Sequence, residues 1–233
     1  MKSIFLLFFI CCTLSINAQK NKHSRWNQML QKYVDMQGQV DYKNWLSEKK
    51  QLDAYIQTLE KMPSLEMASK AAKLAYWINA YNALTVQLIL ENYPLQSIRD
   101  LDDPWDTNCF KINDQSYTLG EIEHQILRKM DEARIHFAIN CASASCPKLK
   151  NEAYQEKQLE AQLTEATRDF LMDTTKNKLS EEQLQLSRIF LWFGNDFGSK
   201  AERLEFISQY SGLNLNRPKI DYLTYDWSLN QAH

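Results

Sequence analysis

Glycine is scarce in this chain, with 5 in 233 residues and none set in a GxGxxG or GxxxxGK[ST] arrangement. Both motifs need several glycines close together so that the backbone can approach a phosphate, which excludes a dinucleotide fold or a P-loop. Histidine is equally thin at 4 residues, so a histidine-based site has few candidates. A charge imbalance is missing as well: 27 Lys plus Arg against 29 Asp plus Glu leave a net charge of −2. Such a surface offers no electrostatic grip on a nucleic-acid backbone, and no nucleic-acid partner and no cofactor are expected. What is present is 44% apolar, 12% aromatic and 24% charged residues, the profile of a folded globular protein. No internal repeat, linker or charge block divides residues 19–233, which read as a single globular domain.

The first eighteen residues stand apart. Lys2 precedes the apolar run Ile4-Phe5-Leu6-Leu7-Phe8-Phe9-Ile10, and the segment closes on Ile16-Asn17-Ala18, the shape of a secretory signal peptide cut after Ala18. The run is too short for a membrane span. Phe8-Phe9-Ile10 stand before Cys11 in place of small residues, so a lipoprotein anchor there is not expected. The expectation is a periplasmic or secreted protein with three remaining cysteines, Cys109, Cys141 and Cys146. An odd count in an oxidising compartment allows at most one disulfide and leaves one thiol over.

Apolar spacing predicts helices at 26–34, 52–59 (stopping before Pro63), 70–92, 119–130, 155–172 and 201–210. The segment 70–92 is the strongest, since Leu74, Trp77, Ile78, Tyr81, Leu84, Leu88 and Ile89 form a wide apolar face at about 100° per residue. It belongs at the centre of the core. Residues 109–119 read as a hairpin turning at Asn113-Asp114. Residues 134–140 alternate, with Ile135, Phe137 and Ile139 opposite Arg134, His136, Ala138 and Asn140, and predict a strand with one polar face. Leu184, Leu186, Ile189 and Phe190 suggest a short strand or extended turn, and 220–227 an extended aromatic tail. The fold class is α+β: helices packed around a small, mainly antiparallel sheet.

The informative residues are polar groups that periodicity places among apolar ones, because burial costs free energy unless they are paired. Asn82, and Asn79 at the margin of the same face, either hydrogen-bond the backbone of a neighbouring segment or line a cleft as donors. Glu123 falls inside the apolar arc of 119–130 with His124 at its edge. Its charge needs compensation by Arg128 or Arg134, unless it serves as an acid or base or orients a histidine. The densest cluster runs from Arg134 through His136 and Asn140 into Cys141-Ala142-Ser143-Ala144-Ser145-Cys146-Pro147. Cys141 and Cys146 either close this loop as a disulfide, or supply a thiol beside His136 or His124, or bind zinc together with those histidines. Cys109 reads as a small core residue of the hairpin.

These residues carry a resemblance. The blocks Ala75-Tyr76-Trp77-Ile78-Asn79-Ala80-Tyr81-Asn82-Ala83-Leu84, Gly120-Glu121-Ile122-Glu123-His124 with Arg128, and 134–147 resemble the domain of unknown function 547 family. Ser187 to Trp192, Asp196-Phe197 and Tyr225 to Asn230 extend the likeness over almost all of residues 19–233. By that resemblance the family pattern falls on Trp77, Asn79, Tyr81, Asn82, Glu123, His124, Arg128, Arg134, His136, Asn140, Cys141, Cys146 and Pro147. It implies an exported bacterial member with a shared site, and it names no chemistry.

Two functions from different classes follow. One is a thiol-dependent hydrolase or acyl transferase acting on an envelope amide or ester. Cys141 is then the nucleophile, His136 or His124 the base, Glu123 or Asp196 the orienting carboxylate, and Asn79, Asn82 or Asn140 the oxyanion donors, with Arg134 and Cys146 completing the pocket. The other is a non-catalytic binding or structural module with a Cys141–Cys146 disulfide and a buried polar network. Either reading takes a small-molecule or peptide-like ligand and needs no resident metal.

Overall fold

The computed structural model describes residues 22–61, 65, 68–112 and 114–232, so the segment expected to be a signal peptide, Pro63 and Asn113 lie outside the described residues. Helices α1 (Ser24–Tyr33), α2 (Tyr42–Trp45) and α3 (Lys49–Glu60) come first, with α2 capped by the Asp41 carboxylate, which accepts from Asn44 N–H at 3.0 Å. Helix α4 (Lys70–Asn92) follows, capped by Ser69 Oγ on Ala72 N–H and ended at Tyr93-Pro94, because proline disfavours helical backbone in the residue before it. Strands β1 (Asn108–Ile112) and β2 (Gln115–Thr118) pair antiparallel, and Thr118 forms a capping box with Glu121 to open α5 (Leu119–Glu121). After α6 (Leu159–Met172) come β3 (Lys178–Leu179), β4 (Gln183–Leu186), α7 (Ile189–Trp192), α8 (Lys200–Ser211) and β5 (Lys219–Tyr222).

Helix α4 is buried on nearly every side from Leu74 to Leu90, as a helix apolar around its whole circumference must be. Trp26 and Trp45 pack in the cluster around it, which also takes in Tyr55, Leu59 and Ile122. A second cluster, built on Phe137, Phe170, Phe190 and Phe197, lies under α6, α8 and the sheet order β3-β4-β5. That sheet is antiparallel between β3 and β4 and parallel between β4 and β5. The architecture is α+β, as the periodicity predicts. Among the described residues no helix is long and apolar enough to cross a membrane.

Three local expectations change. Residues 134–140 form no strand: Ala133–Phe137 is a 3₁₀ helix, started by the Glu132 carboxylate accepting from Arg134 N–H at 3.2 Å. The alternation misleads because every residue from Ile135 to Asn140 is buried, polar and apolar alike. The predicted single helix over 119–130 is instead three pieces: α5, a π-helical turn at Ile122–Ile126, and a 3₁₀ turn at Leu127–Met130. The helix expected from residue 155 starts at Leu159, since Gln155 N–H is drawn off to the Gln162 side chain at 2.9 Å.

Candidate functional site

The site is assembled by a loop and the tail that crosses it. Asn140 Oδ1 accepts from Ala142 N–H at 2.8 Å and its Nδ2 donates to Pro147 C=O at 2.7 Å, so one side chain ties both ends of the 141–146 loop. Ala142 sits at φ 60°, a left-handed conformation that disfavours a residue with a Cβ and is sustained by the contacts around it. The tail fixes the outer side: Ala144 N–H donates to Ser228 C=O at 2.7 Å, Ser145 N–H to Asp226 C=O at 3.1 Å and Asn230 N–H to Ala142 C=O at 3.0 Å. Small residues in the loop permit this close backbone approach.

The consequence is a pair of free thiols in close contact. Cys141 Sγ lies 2.7 Å from Cys146 Sγ, 3.2 Å from Ser143 Oγ and 3.4 Å from the Tyr225 hydroxyl. These donors, with Cys146 first, pull the Cys141 thiol down from 9.0 to about 6 against the opposing effect of burial. Burial pushes the Cys146 thiol well above its ordinary value. Cysteine at a helix N-terminus is activated by the macrodipole, whereas here side-chain donors do the work.

Both cysteines line a cleft of about 220 Å³, walled by Trp105, Trp192, Phe193, Tyr225 and Trp227. His136 opens on the same cleft, stacked on Phe193 at 4.3 Å, with Nε2 held 2.8 Å from Asp196 Oδ2. Arg128 grips that carboxylate bidentately at 2.6 and 2.8 Å. Asp196 is thereby kept ionised, below the usual carboxylate range, chiefly by Arg128. Burial lowers His136 from 6.5 to about 4, so the ring is neutral at pH 7, its Nε2–H donates to Asp196, and Nδ1 is the nitrogen not committed to that bond. His124, exposed at the mouth, lies 3.3 Å from Arg128 through Nδ1.

Glu123 is brought into the cleft by the π-helical turn, a deviation that recurs at functional sites because it re-aims side chains. The expected arginine partner is not there: Arg128 is bound to Asp196, and Arg134 to Glu132 and Glu160. Glu123 instead accepts one hydrogen bond, from the Tyr81 hydroxyl at 3.1 Å, and burial raises its pKa.

The cleft thus brings together Glu123, His124, His136, Cys141 and Cys146 and leaves the other candidates outside it. Asn79 holds both backbone groups of Tyr154, at 2.8 and 3.0 Å. Asn82 holds Ala138 C=O at 2.9 Å and Asn140 N–H at 2.8 Å. Asn140 braces the loop, and Arg134 forms its ion pairs against α6. Ser143 and Tyr225 are the participants that sequence reasoning passed over; an aromatic tail reads as packing, and nothing in its spacing says that a hydroxyl reaches a thiol. Among the described residues no group of three or more His, Cys, Asp or Glu is arranged to hold a metal ion.

In class this is an α+β protein with an aromatic cleft lined by two free cysteines and by a histidine bound to Asp196. Residues 65–171 match the family model described as "Protein of unknown function, DUF547", which supports that family for the segment carrying α4, the π-helical turn, His136 and both cleft cysteines. No curated protein and no solved structure matches the chain.

Proposed function

We propose that the cleft performs thiol-dependent acyl transfer, as a hydrolase or acyl transferase acting on an amide or ester of a small-molecule or peptide-like substrate, in the periplasm or outside the cell. The observation that carries this reading is the Cys141 thiol, lowered to about 6, sharing one cleft with an Asp196-held His136. At pH 7 Cys141 is mostly thiolate, so attack on the carbonyl carbon needs no prior proton transfer. The bond formed is a thioester, and the leaving group departs with a proton from the cleft. Nδ1 of neutral His136 is then free to take a proton from water or from an acceptor alcohol or amine as it attacks the thioester. Glu123, whose pKa burial raises, is the group in the same cleft to which we assign the acid role.

The test is intact-mass analysis after brief exposure to p-nitrophenyl acetate. One acetyl group on Cys141, absent in Cys141→Ser and long-lived in His136→Gln, is the expected result. The competing reading, a module that binds without chemistry, draws on the commitment of Asn79, Asn82 and Asn140 to backbone groups, which removes the amide donors first considered for an oxyanion. An unmodified Cys141 in a protein that still binds peptide-like ligands would decide for it.

A further inference from the structure

We propose that Cys141 and Cys146 form a dithiol centre that exchanges with disulfides, Cys141 attacking and Cys146 resolving. The inference does not depend on acyl transfer; it rests on the geometry of the pair. The two sulfurs lie 2.7 Å apart, against about 2.05 Å in a disulfide, and Cys141 N–H donates to Cys146 Sγ at 2.9 Å. The backbone between them is already turned back on itself, with Cys146 N–H donating to Ser143 C=O at 3.0 Å and Ala142 at φ 60°. The loop closure that a disulfide requires is therefore made before the bond forms.

The two thiols are also unequal in the way such chemistry needs. Cys141 is half-buried and Cys146 buried, so an incoming disulfide meets Cys141 first. Cys146 is shielded from a bimolecular encounter but in contact with Cys141, where attack is intramolecular and its effective concentration very high. Cys109, on β1 in the hairpin, is held near 11 by burial and does not compete.

The Cys141 thiolate attacks one sulfur of the substrate disulfide, that S–S bond breaks, and the first thiolate leaves to be protonated by solvent. Cys146 then loses its proton and attacks the Cys141 sulfur of the mixed disulfide. The Cys141–Cys146 bond forms and the second substrate thiol departs. Two protein thiols are oxidised and one substrate disulfide is reduced to two thiols, with two electrons and two protons passed across; in reverse the centre oxidises a dithiol. The co-reactant class is a small or peptide disulfide.

The probe is oxidised glutathione. The reduced full chain is incubated at fixed ratios of reduced to oxidised glutathione, acid-quenched, alkylated and mapped by mass. Wild type is expected to lose two hydrogens at Cys141 and Cys146, reversibly and as a function of the ratio, with Cys109 still a thiol. Cys146→Ser is expected to stop at a mixed disulfide on Cys141, and Cys141→Ser to react only slowly. At pH 6 half of Cys141 is thiolate against about one in a thousand for a thiol at 9.0; its weaker intrinsic nucleophilicity takes back a factor of ~20, leaving an advantage of about 25-fold. A persistent mixed disulfide in wild type overturns the proposal, and so does a Cys141–Cys146 bond that no ratio reduces, which would be a structural staple. Both results are read on wild type and need no variant to fold. Acetylation of Cys141 without any Cys141–Cys146 bond would sink this inference and leave acyl transfer standing. A bond that forms and reverses in a protein never acetylated would do the opposite.

Discussion

Asn82→Ala tests how the site is held in place. The Asn82 amide sits on the central helix, 3% exposed, and satisfies Ala138 C=O and Asn140 N–H at 2.9 and 2.8 Å. Those two groups flank the turn that leads directly into Cys141. Truncation strands a buried acceptor and a buried donor, each costing about 1–3 kcal/mol, so the expected loss is about 2–5 kcal/mol after partial relaxation. Equilibrium urea unfolding followed by tryptophan fluorescence measures it, with an unchanged m-value required for the comparison. A double-mutant cycle with Asn140→Ala should show coupling of at least about 0.5 kcal/mol, because Asn140 accepts from Ala142 N–H and braces the far end of the same loop. The reasoning fails if Asn82→Ala costs under about 1 kcal/mol, since the amide would then be replaceable by water and the segment not anchored by it.

Stability should fall as pH drops from 6.5 toward 4. His136 and His23 are both lowered by burial to about 4, so the unfolded chain takes up protons that the fold refuses, at up to about 3 kcal/mol per histidine; Glu123, raised by burial, works the other way. Urea midpoints at pH 7, 5.5 and 4.5 check this, and a flat profile in the wild type would refute it. The pH profile of Cys141 alkylation should show a midpoint near 6, moving upward most in Cys146→Ala and also in Tyr225→Phe, because those groups donate to the sulfur. Gly38→Ala should lose about 2–4 kcal/mol: φ is +79°, and the new Cβ would run into Lys148 Cβ and come within 2.8 Å of Lys148 Cα. Asp196→Asn should lower stability by about 1–3 kcal/mol and release His136 from its Nε2–H tautomer, which nitrogen NMR of the ring reads directly.

The sequence by itself determined the elements whose signals are local. The apolar circumference of α4, the Thr118–Glu121 capping box and the hairpin before it follow from side-chain spacing and capping chemistry within a few residues. It also marked Asn79, Asn82 and Glu123 as polar groups in apolar company. Tertiary structure decided what each of them meets, because a buried polar group takes whichever partner the packing brings. Glu123 received Tyr81 from another helix, and the arginines expected beside it were claimed by Asp196, Glu132 and Glu160. Alternation at 134–140 resembles a strand only while one face is assumed wet; with both faces buried and the Ala138 and Asn140 backbone groups bound to Asn82, no ladder partner is needed and the backbone coils. The thiol pair was legible as a spacing, but the donors that lower the Cys141 thiol were not. The hydroxyl of Tyr225 reaches Cys141 across 84 residues of chain, a contact that only the tail folding back over the loop can make.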